Sequence, residues 1–404
     1  MFNFFLSLVF GIIVGCVAGL LPGLHTNNLL PIVFSLSLLG GENGVIFISS
    51  MVASQLIFNF LIATFFGAAD DEANSLASLP SHRLLIKGEG MKSVVSLIYG
   101  SLLGFLFSIV LLAIFFNYIK PIYTYSRSII VFVIIFVVSY LILLEREIGK
   151  IFKSFLIFII SGIFGILVLN GLNIPEESKL LPCFTGLFGI SSLLASIYTK
   201  TKLQKQKTDF NLGLNKINIL KASFAGSIAG FLVGLLPGIG VAQGIILVSS
   251  FFKISNPVGF LLVQGSVASS DNIFSTAAVY LIGNPRSGAS VYLERIVDKL
   301  EIKHLFLVLF SFGISLALSS FFVFKLSPLV FKLIEKIDYK TVNISVISFL
   351  VFIVFIFSGF IGLYLLFIAT LIGFLNIKFN VNRSFSMGFL ILPTILFFFN
   401  YFYI

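Results

Sequence analysis

Tryptophan is absent, cysteine occurs twice, histidine three times, and charged residues make up only 10% of this 404-residue chain. Each scarcity excludes something. A soluble domain carries about 25% charged residues to face water, so a water-exposed surface cannot be assembled here and the outer surface must be lipid. Cys16 and Cys183 are far apart in sequence and set in apolar runs. They are too few for a disulfide framework or a cysteine-based metal site, and are expected to be buried free thiols. His25, His82 and His304 are scattered, with no HExxH or nucleophile-elbow pattern around them, which argues against a metallohydrolase or a serine hydrolase. Without Trp, aromatic anchoring at the membrane interfaces falls to Tyr, and Tyr118, Tyr123, Tyr125 and Tyr401 stand near expected helix ends.

What is abundant is apolar: 58% of the residues are hydrophobic, 50 are Phe, and the mean hydropathy is +1.12. At ~20 residues per membrane-spanning helix, the chain is expected to be an all-α integral membrane protein with about 10–12 spans. Candidate spans are 4–22, 44–67, 93–117, 128–144, 151–170, 180–198, 217–236, 257–283, 303–325, 341–358, 360–376 and 387–403. The runs 29–40 and 241–252 are apolar but short, as re-entrant or half-spanning segments are. The first run lacks a basic leader and carries a motif that recurs, so it reads as a structural helix rather than a signal peptide. The net charge of +10 suits cytoplasmic loops and anionic membrane lipid rather than nucleic acid, because no basic stripe accompanies a soluble fold.

The polar, lysine-rich segment 199–216 divides the chain into a first transmembrane repeat, 1–198, and a second, 217–404. The positive-inside rule places that linker in the cytoplasm. The division rests on an internal duplication. Gly11-x3-Gly15-x3-Gly19-Leu20-Leu21-Pro22-Gly23 recurs as Gly226-x3-Gly230-x3-Gly234-Leu235-Leu236-Pro237-Gly238, at one offset of 215 residues. The same offset superposes Ala53-Ser54 on Ala268-Ser269, and by Gly67 and Gly283 it has slipped by one. Two copies of so long a motif indicate duplication.

Glycine at every fourth position bares one helix face for close approach of another helix. The Pro-Gly that follows removes an N–H and frees the backbone, so the helix breaks. Broken backbone inside hydrocarbon must line protein or a polar cavity, and broken helices in matching positions of two repeats point to a transporter's substrate site. The candidate substrate-binding residues are therefore Pro22, Gly23, His25, Thr26, Asn27 and Asn28 in the first copy, and Pro237, Gly238, Gly240 and Gln243 in the second. A half-helix beginning at either break presents free N–H groups and partial positive charge, which favour an anion; Thr26 to Asn28 serve equally well as helix caps.

Asp271, with Asn272, sits inside an apolar run, where a carboxylate is expensive and usually functional. It binds a coupling cation, carries a proton, or pairs with a basic group. Gln55 and Asn59 stand at comparable depth in the first half. Asp70, Asp71 and Glu72 read as a solvated helix end or a cation site, Arg83 and Lys87 as anion contacts or interface markers, and Arg286 as a candidate anion contact. Together these features suggest a transporter of a small anionic solute, with no cofactor expected.

Three segments carry a resemblance. GCVAGLLPGLHTNNLLP (Gly15 to Pro31), LPSHRLLIKGEGMKSVVSLIYGSLLG (Leu79 to Gly104) and GFLVGLLPGIGVAQG (Gly230 to Gly244) resemble the tripartite tricarboxylate transporter large permease family (TctA-like), in particular its shorter archaeal branch with a Pro-Gly-Leu-His motif. The resemblance implies two inverted repeats with paired re-entrant elements meeting near the membrane midplane. It implies uptake of a carboxylate coupled to a Na+ or H+ gradient, with a small membrane subunit and an extracytoplasmic binding protein as possible partners. The family's usual Pro-Gly-Leu-Gly-Pro reads Pro22-Gly23-Leu24-His25-Thr26 here. An alternative of the same general type is a carrier or flippase for a lipid-linked phosphate.

Overall fold

The computed structural model describes residues 2–21, 29–30, 40–66, 80–81, 83–126, 129–145, 147–172, 176–198, 204–236, 240–297, 299–334 and 339–403. Among these the fold is all-helical, with no strand. The helices are α1 (Phe2–Leu20), α2 (Gly41–Phe66), α3 (Gly90–Ser126), α4 (Ile130–Leu143), α5 (Ile148–Gly171), α6 (Glu176–Phe184), α7 (Ser191–Tyr198), α8 (Lys216–Leu235), α9 (Val241–Phe251), α10 (Pro257–Ile282), α11 (Gly288–Val297), α12 (Ile302–Ile334), α13 (Tyr339–Phe379) and α14 (Gly388–Tyr403). A buried π-helical turn, Thr185–Ile190, joins α6 to α7, and a 3-10 turn, Arg383–Met387, leads into α14.

Eight helices among the described residues are long and apolar enough to cross a membrane. Large apolar side chains such as Phe136, Phe306 and Phe367 are more than 60% exposed on their outer faces, a surface suited to acyl chains and not to water. The chain is a multi-pass membrane protein. Helix α10 has the length of a span but is not among the eight. Its polar sequence, VQGSVASSDN, is tolerated because other helices wrap it and bury most of its residues. Local signals set its ends: Asn256 accepts a hydrogen bond from the Gly259 N–H at 2.6 Å, Pro257 opens the first turn, and Gly283 closes the helix with φ 69°. Helix α13 consists of two helices end to end. They meet at Gly359, whose φ of 60° and ψ of −156° interrupt the helix where the sequence separates the spans 341–358 and 360–376.

Helix directions follow from paired contacts. Gly11, Gly15 and Gly19 of α1 meet α2 successively at Ser50, Ser54 and Phe58, so α1 and α2 run parallel. Gly226, Gly230 and Gly234 of α8 meet α10 successively at Ser266, Ser270 and Phe274, so α8 and α10 also run parallel. Helix α3 runs with α10, through Gly100 on Leu262, Ser101 on Gly265 and Phe116 beside Tyr280. Helix α12 runs with α2, from the Lys303–Glu42 ion pair to the Phe331–Phe65 ring contact, and against α3, from Phe312–Phe105 to Phe324–Tyr99. Two trios result, α1–α2–α12 and α8–α10–α3, and each borrows its third helix from the other half of the chain.

Inside a bilayer no hydrophobic force draws helices together, so close packing and interhelical hydrogen bonds must hold them. In the second trio the Ser101 hydroxyl donates to the Gly265 carbonyl at 2.8 Å, Ser269 to Ser101 O at 2.8 Å and Ser270 to Gly104 O at 3.1 Å. The remaining helices form further cores by the same exchange. Gly165 of α5 packs on Phe389 O of α14 and Gly388 packs on Phe158 O, while Gly373 of α13 packs on Leu187 O of the π turn and Gly186 packs on Leu366 O. Each hydrophobic core thus draws on residues from both sides of segment 199–216.

The described part of that segment is docked. Gln206 is buried, its Oε1 accepting from Gly90 N at 3.1 Å and its Nε2 donating to Leu85 O at 2.8 Å, and Lys207 N donates to Gly88 O at 2.8 Å. Phe210 packs edge-on against Phe324 of α12.

Candidate functional site

Parallel neighbours impose a return. After α8 ends at Leu235, the chain must travel back along the membrane before α10 can start beside it. Helix α9 makes part of that return. Gly244 lies against Val233 and Ala229 of α8, and the eleven residues of α9 rise ~16 Å, about half of a ~30 Å hydrocarbon core. Helix α9 begins after Gly240, which supplies no side-chain cap. Gln243 lies in this first turn; it is buried, and its Oε1 has no hydrogen-bond partner.

The other predicted residues fall on α2 and α10, two helices of 26 residues each. Gln55 and Asp271 occupy the same place in them. Each follows the serine that packs on the middle glycine of the neighbouring helix, Ser54 on Gly15 and Ser270 on Gly230. One turn on, Asn59 corresponds to Ser275. The Ser275 hydroxyl donates to Asp271 Oδ1 at 3.2 Å. Asn59 is buried, and its Oδ1 has no hydrogen-bond partner. Asn272 Nδ2 donates to Ala268 O of its own helix at 2.8 Å, which commits part of that side chain to the backbone. The register differs from the sequence superposition of Ala53-Ser54 on Ala268-Ser269. Packing pairs Ser54 with Ser270, so the offset has become 216 before α2 and α10 begin. The extra residue lies in the connection after the GLLPG motif.

Pro22, Gly23, His25, Thr26, Asn27, Asn28, Pro237 and Gly238 lie outside the described residues, as do Asp70, Asp71, Glu72 and His82. His304 is structural: its Nδ1 accepts the Glu301 N–H at 3.0 Å at the start of α12. Cys183 is buried and Cys16 half-buried, both free. No cluster of three metal-ligating side chains occurs among the described residues. Tyr118 and Tyr125 are exposed, as anchoring requires, but Tyr123 is buried. Asn284 Nδ2 donates to its hydroxyl at 2.7 Å, and the Arg286 guanidinium lies 5.6 Å from its ring centroid. Burial pushes the Arg286 pKa below its usual value.

The family model described as "Tripartite tricarboxylate transporter TctA family" matches residues 5–388. The chain belongs to the TctA family. It is also similar to an uncharacterized protein of Methanocaldococcus jannaschii, 33% identical over 409 residues that cover 97% of this chain and 98% of that one. No solved structure matches. TctA is a family of membrane transporters, which agrees with the multi-pass architecture.

In this TctA protein the sequence passes over one residue that packing singles out. Gln264 is fully buried on α10, and neither atom of its amide finds a hydrogen-bond partner. It lies seven residues before Asp271, on the same helix face. A buried amide left unpaired costs ~1–3 kcal/mol, so Gln264, Asp271 and Ser275 form a polar stripe that packing alone does not explain. The sequence signal was the absence of an equivalent: the matching position in α2 is Ile48.

Proposed function

We propose that this chain is a secondary active transporter that moves a small organic anion of the carboxylate class across the cell membrane by alternating access, driven by a Na+ or H+ gradient. The observation that carries the proposal is the matched placement of Gln55 and Asn59 on α2 and Asp271 and Ser275 on α10. Each set lies just past the middle of a helix held in place by a duplicated glycine face. Asp271 and Asn272 serve the coupling ion or proton, with Gln55 and Asn59 at the equivalent place in the other copy. Gly238, Gly240 and Gln243 offer backbone N–H groups to the anion after the helix break at Pro237; Pro22, Gly23, His25, Thr26, Asn27 and Asn28 supply the first-copy side of the site.

The helix directions support a pair of repeats of opposite orientation. Helices α1 and α2 run with α12, α8 and α10 run with α3, and α3 runs against α12. Such a pair can exchange roles across the membrane. The lysines of segment 199–216 favour the cytoplasmic side for that segment. A small membrane subunit and an extracytoplasmic binding protein are the partners that tripartite membership suggests.

The test is uptake of labelled citrate and smaller carboxylates by sealed proteoliposomes under imposed Na+ or H+ gradients. Concentrative uptake that collapses with an ionophore is expected. No uptake above protein-free vesicles across the whole panel, with transbilayer movement of a prenyl phosphate instead, would transfer the assignment to a lipid-linked substrate.

A further inference from the structure

Arg286 lies in the turn between α10 and α11, and most of its local contacts are already made. Its own N–H and that of Ser287 donate to the Ser290 hydroxyl at 3.1 and 2.9 Å, which fixes the turn. The guanidinium lies over the Tyr123 ring, and Asn284 holds the Tyr123 hydroxyl. What remains is one edge. Nε and Nη2 are both buried and neither has a hydrogen-bond partner. These two nitrogens carry parallel N–H groups at the spacing of the two oxygens of a carboxylate or a phosphate. No acidic side chain forms an ion pair with Arg286 among the described residues.

We propose that Arg286, braced by Tyr123 and Asn284, is an oxyanion-binding site that takes one carboxylate or phosphate group bidentately, separate from the mid-helix polar pairs. Twelve residues of helix separate Asp271 from Gly283, or roughly 18 Å along the axis. The site therefore stands at the end of α10, outside the middle of the bilayer. It also stands at the far end of α3 from the docked linker, since Tyr123 closes α3 and Gly90, which Gln206 binds, opens it. The Nε–Nη2 edge is covered in this conformation, so an anion enters when the turn 283–287 moves aside. The oxyanion has two sources, a soluble solute on its way to the mid-membrane site or the headgroup of an anionic lipid.

The experiment measures the thermal stability of purified full-length protein in neutral detergent with citrate or inorganic phosphate, and in nanodiscs with and without phosphatidic acid. A ligand that binds the folded form raises its melting temperature, increasingly so as its concentration rises above its Kd. A rise is expected in at least one arm. Arg286→Gln and Arg286→Lys should right-shift the dose response by about ten- to a hundredfold, because lysine keeps the charge but not the two-pronged edge. Lys216→Gln, which removes one exposed positive charge elsewhere, should leave it unchanged, which separates the two-pronged edge from a general charge effect. A response to soluble anions alone identifies a solute site; a response to phosphatidic acid alone identifies a headgroup site. Unshifted curves for both Arg286 variants, or no rise in any arm for the unsubstituted protein, would overturn the proposal.

Discussion

The backbone nitrogens of Gln55 and Asp271 stand in the same relation to their neighbouring helices. Each lies 2.9 Å from where a Cβ on Gly15 or Gly230 would sit. One copy places an amide at this position and the other a carboxylate. The duplicated scaffold therefore presents equivalent positions with different chemistry, which suits an asymmetric solute and a coupling step confined to one side. Asp271→Asn is expected to reduce gradient-driven uptake in proteoliposomes at least about tenfold, with little change in melting temperature. Gln55→Ala should lower uptake less and leave the dependence on the gradient intact. Wild-type coupling in Asp271→Asn would remove the carboxylate from the mechanism.

The glycine faces admit no side chain. A Cβ on Gly19 would stand 2.6 Å from Gln55 O, and one on Gly234 would stand 2.7 Å from Phe274 Cβ. Gly19→Val and Gly234→Val should each destabilise the protein by about 1–3 kcal/mol, read as a lower melting temperature. Gly149→Ala meets nothing within 4 Å and should be neutral or slightly stabilising.

Gly359 is a different case, because nothing lies within 4 Å of its Cβ position and its φ is +60°. The cost of Gly359→Ala is backbone strain, about 1–3 kcal/mol. A melting temperature equal to that of Gly149→Ala would mean that α13 straightens there without penalty.

Gln206 fastens the linker by hydrogen bonds to Gly90 N and Leu85 O. Gln206→Ala leaves the buried N–H of Gly90 without its partner and should cost about 1–3 kcal/mol. Faster cleavage within 199–216 under limited proteolysis is the accompanying readout, and an unchanged cleavage rate would show that the Lys207–Gly88 hydrogen bond and Phe210 suffice to hold the segment.

Much of the fold was legible because membrane proteins write their architecture in composition. Helix positions follow from apolar runs, though α3 and α12 run past the expected spans 93–117 and 303–325, and the break between spans at 358–360 follows from one glycine. Other features were not legible. Local sequence does not report that α3 and α12 change partners between halves, since contacts between distant segments leave no periodic trace. It does not separate Tyr123 from the exposed Tyr118 and Tyr125, because an aromatic under a cation and an aromatic at the lipid interface have the same neighbours in sequence. The offset of 215 held through the motif, but only packing located the added residue ahead of α2 and α10.

The sequence by itself determined that the chain lives in a bilayer and that one motif, a glycine-faced run ending in Leu-Leu-Pro-Gly, occurs twice. These are properties of residue type and spacing, which act locally. Tertiary structure decided which polar groups stand in equivalent positions. Gln55 faces its glycine as Asp271 does, Gln264 lies unpaired in line with Asp271, and one buried edge of Arg286 is left without a hydrogen-bond partner. Whether a buried polar atom finds a partner depends on every helix around it, and no single segment carries that information.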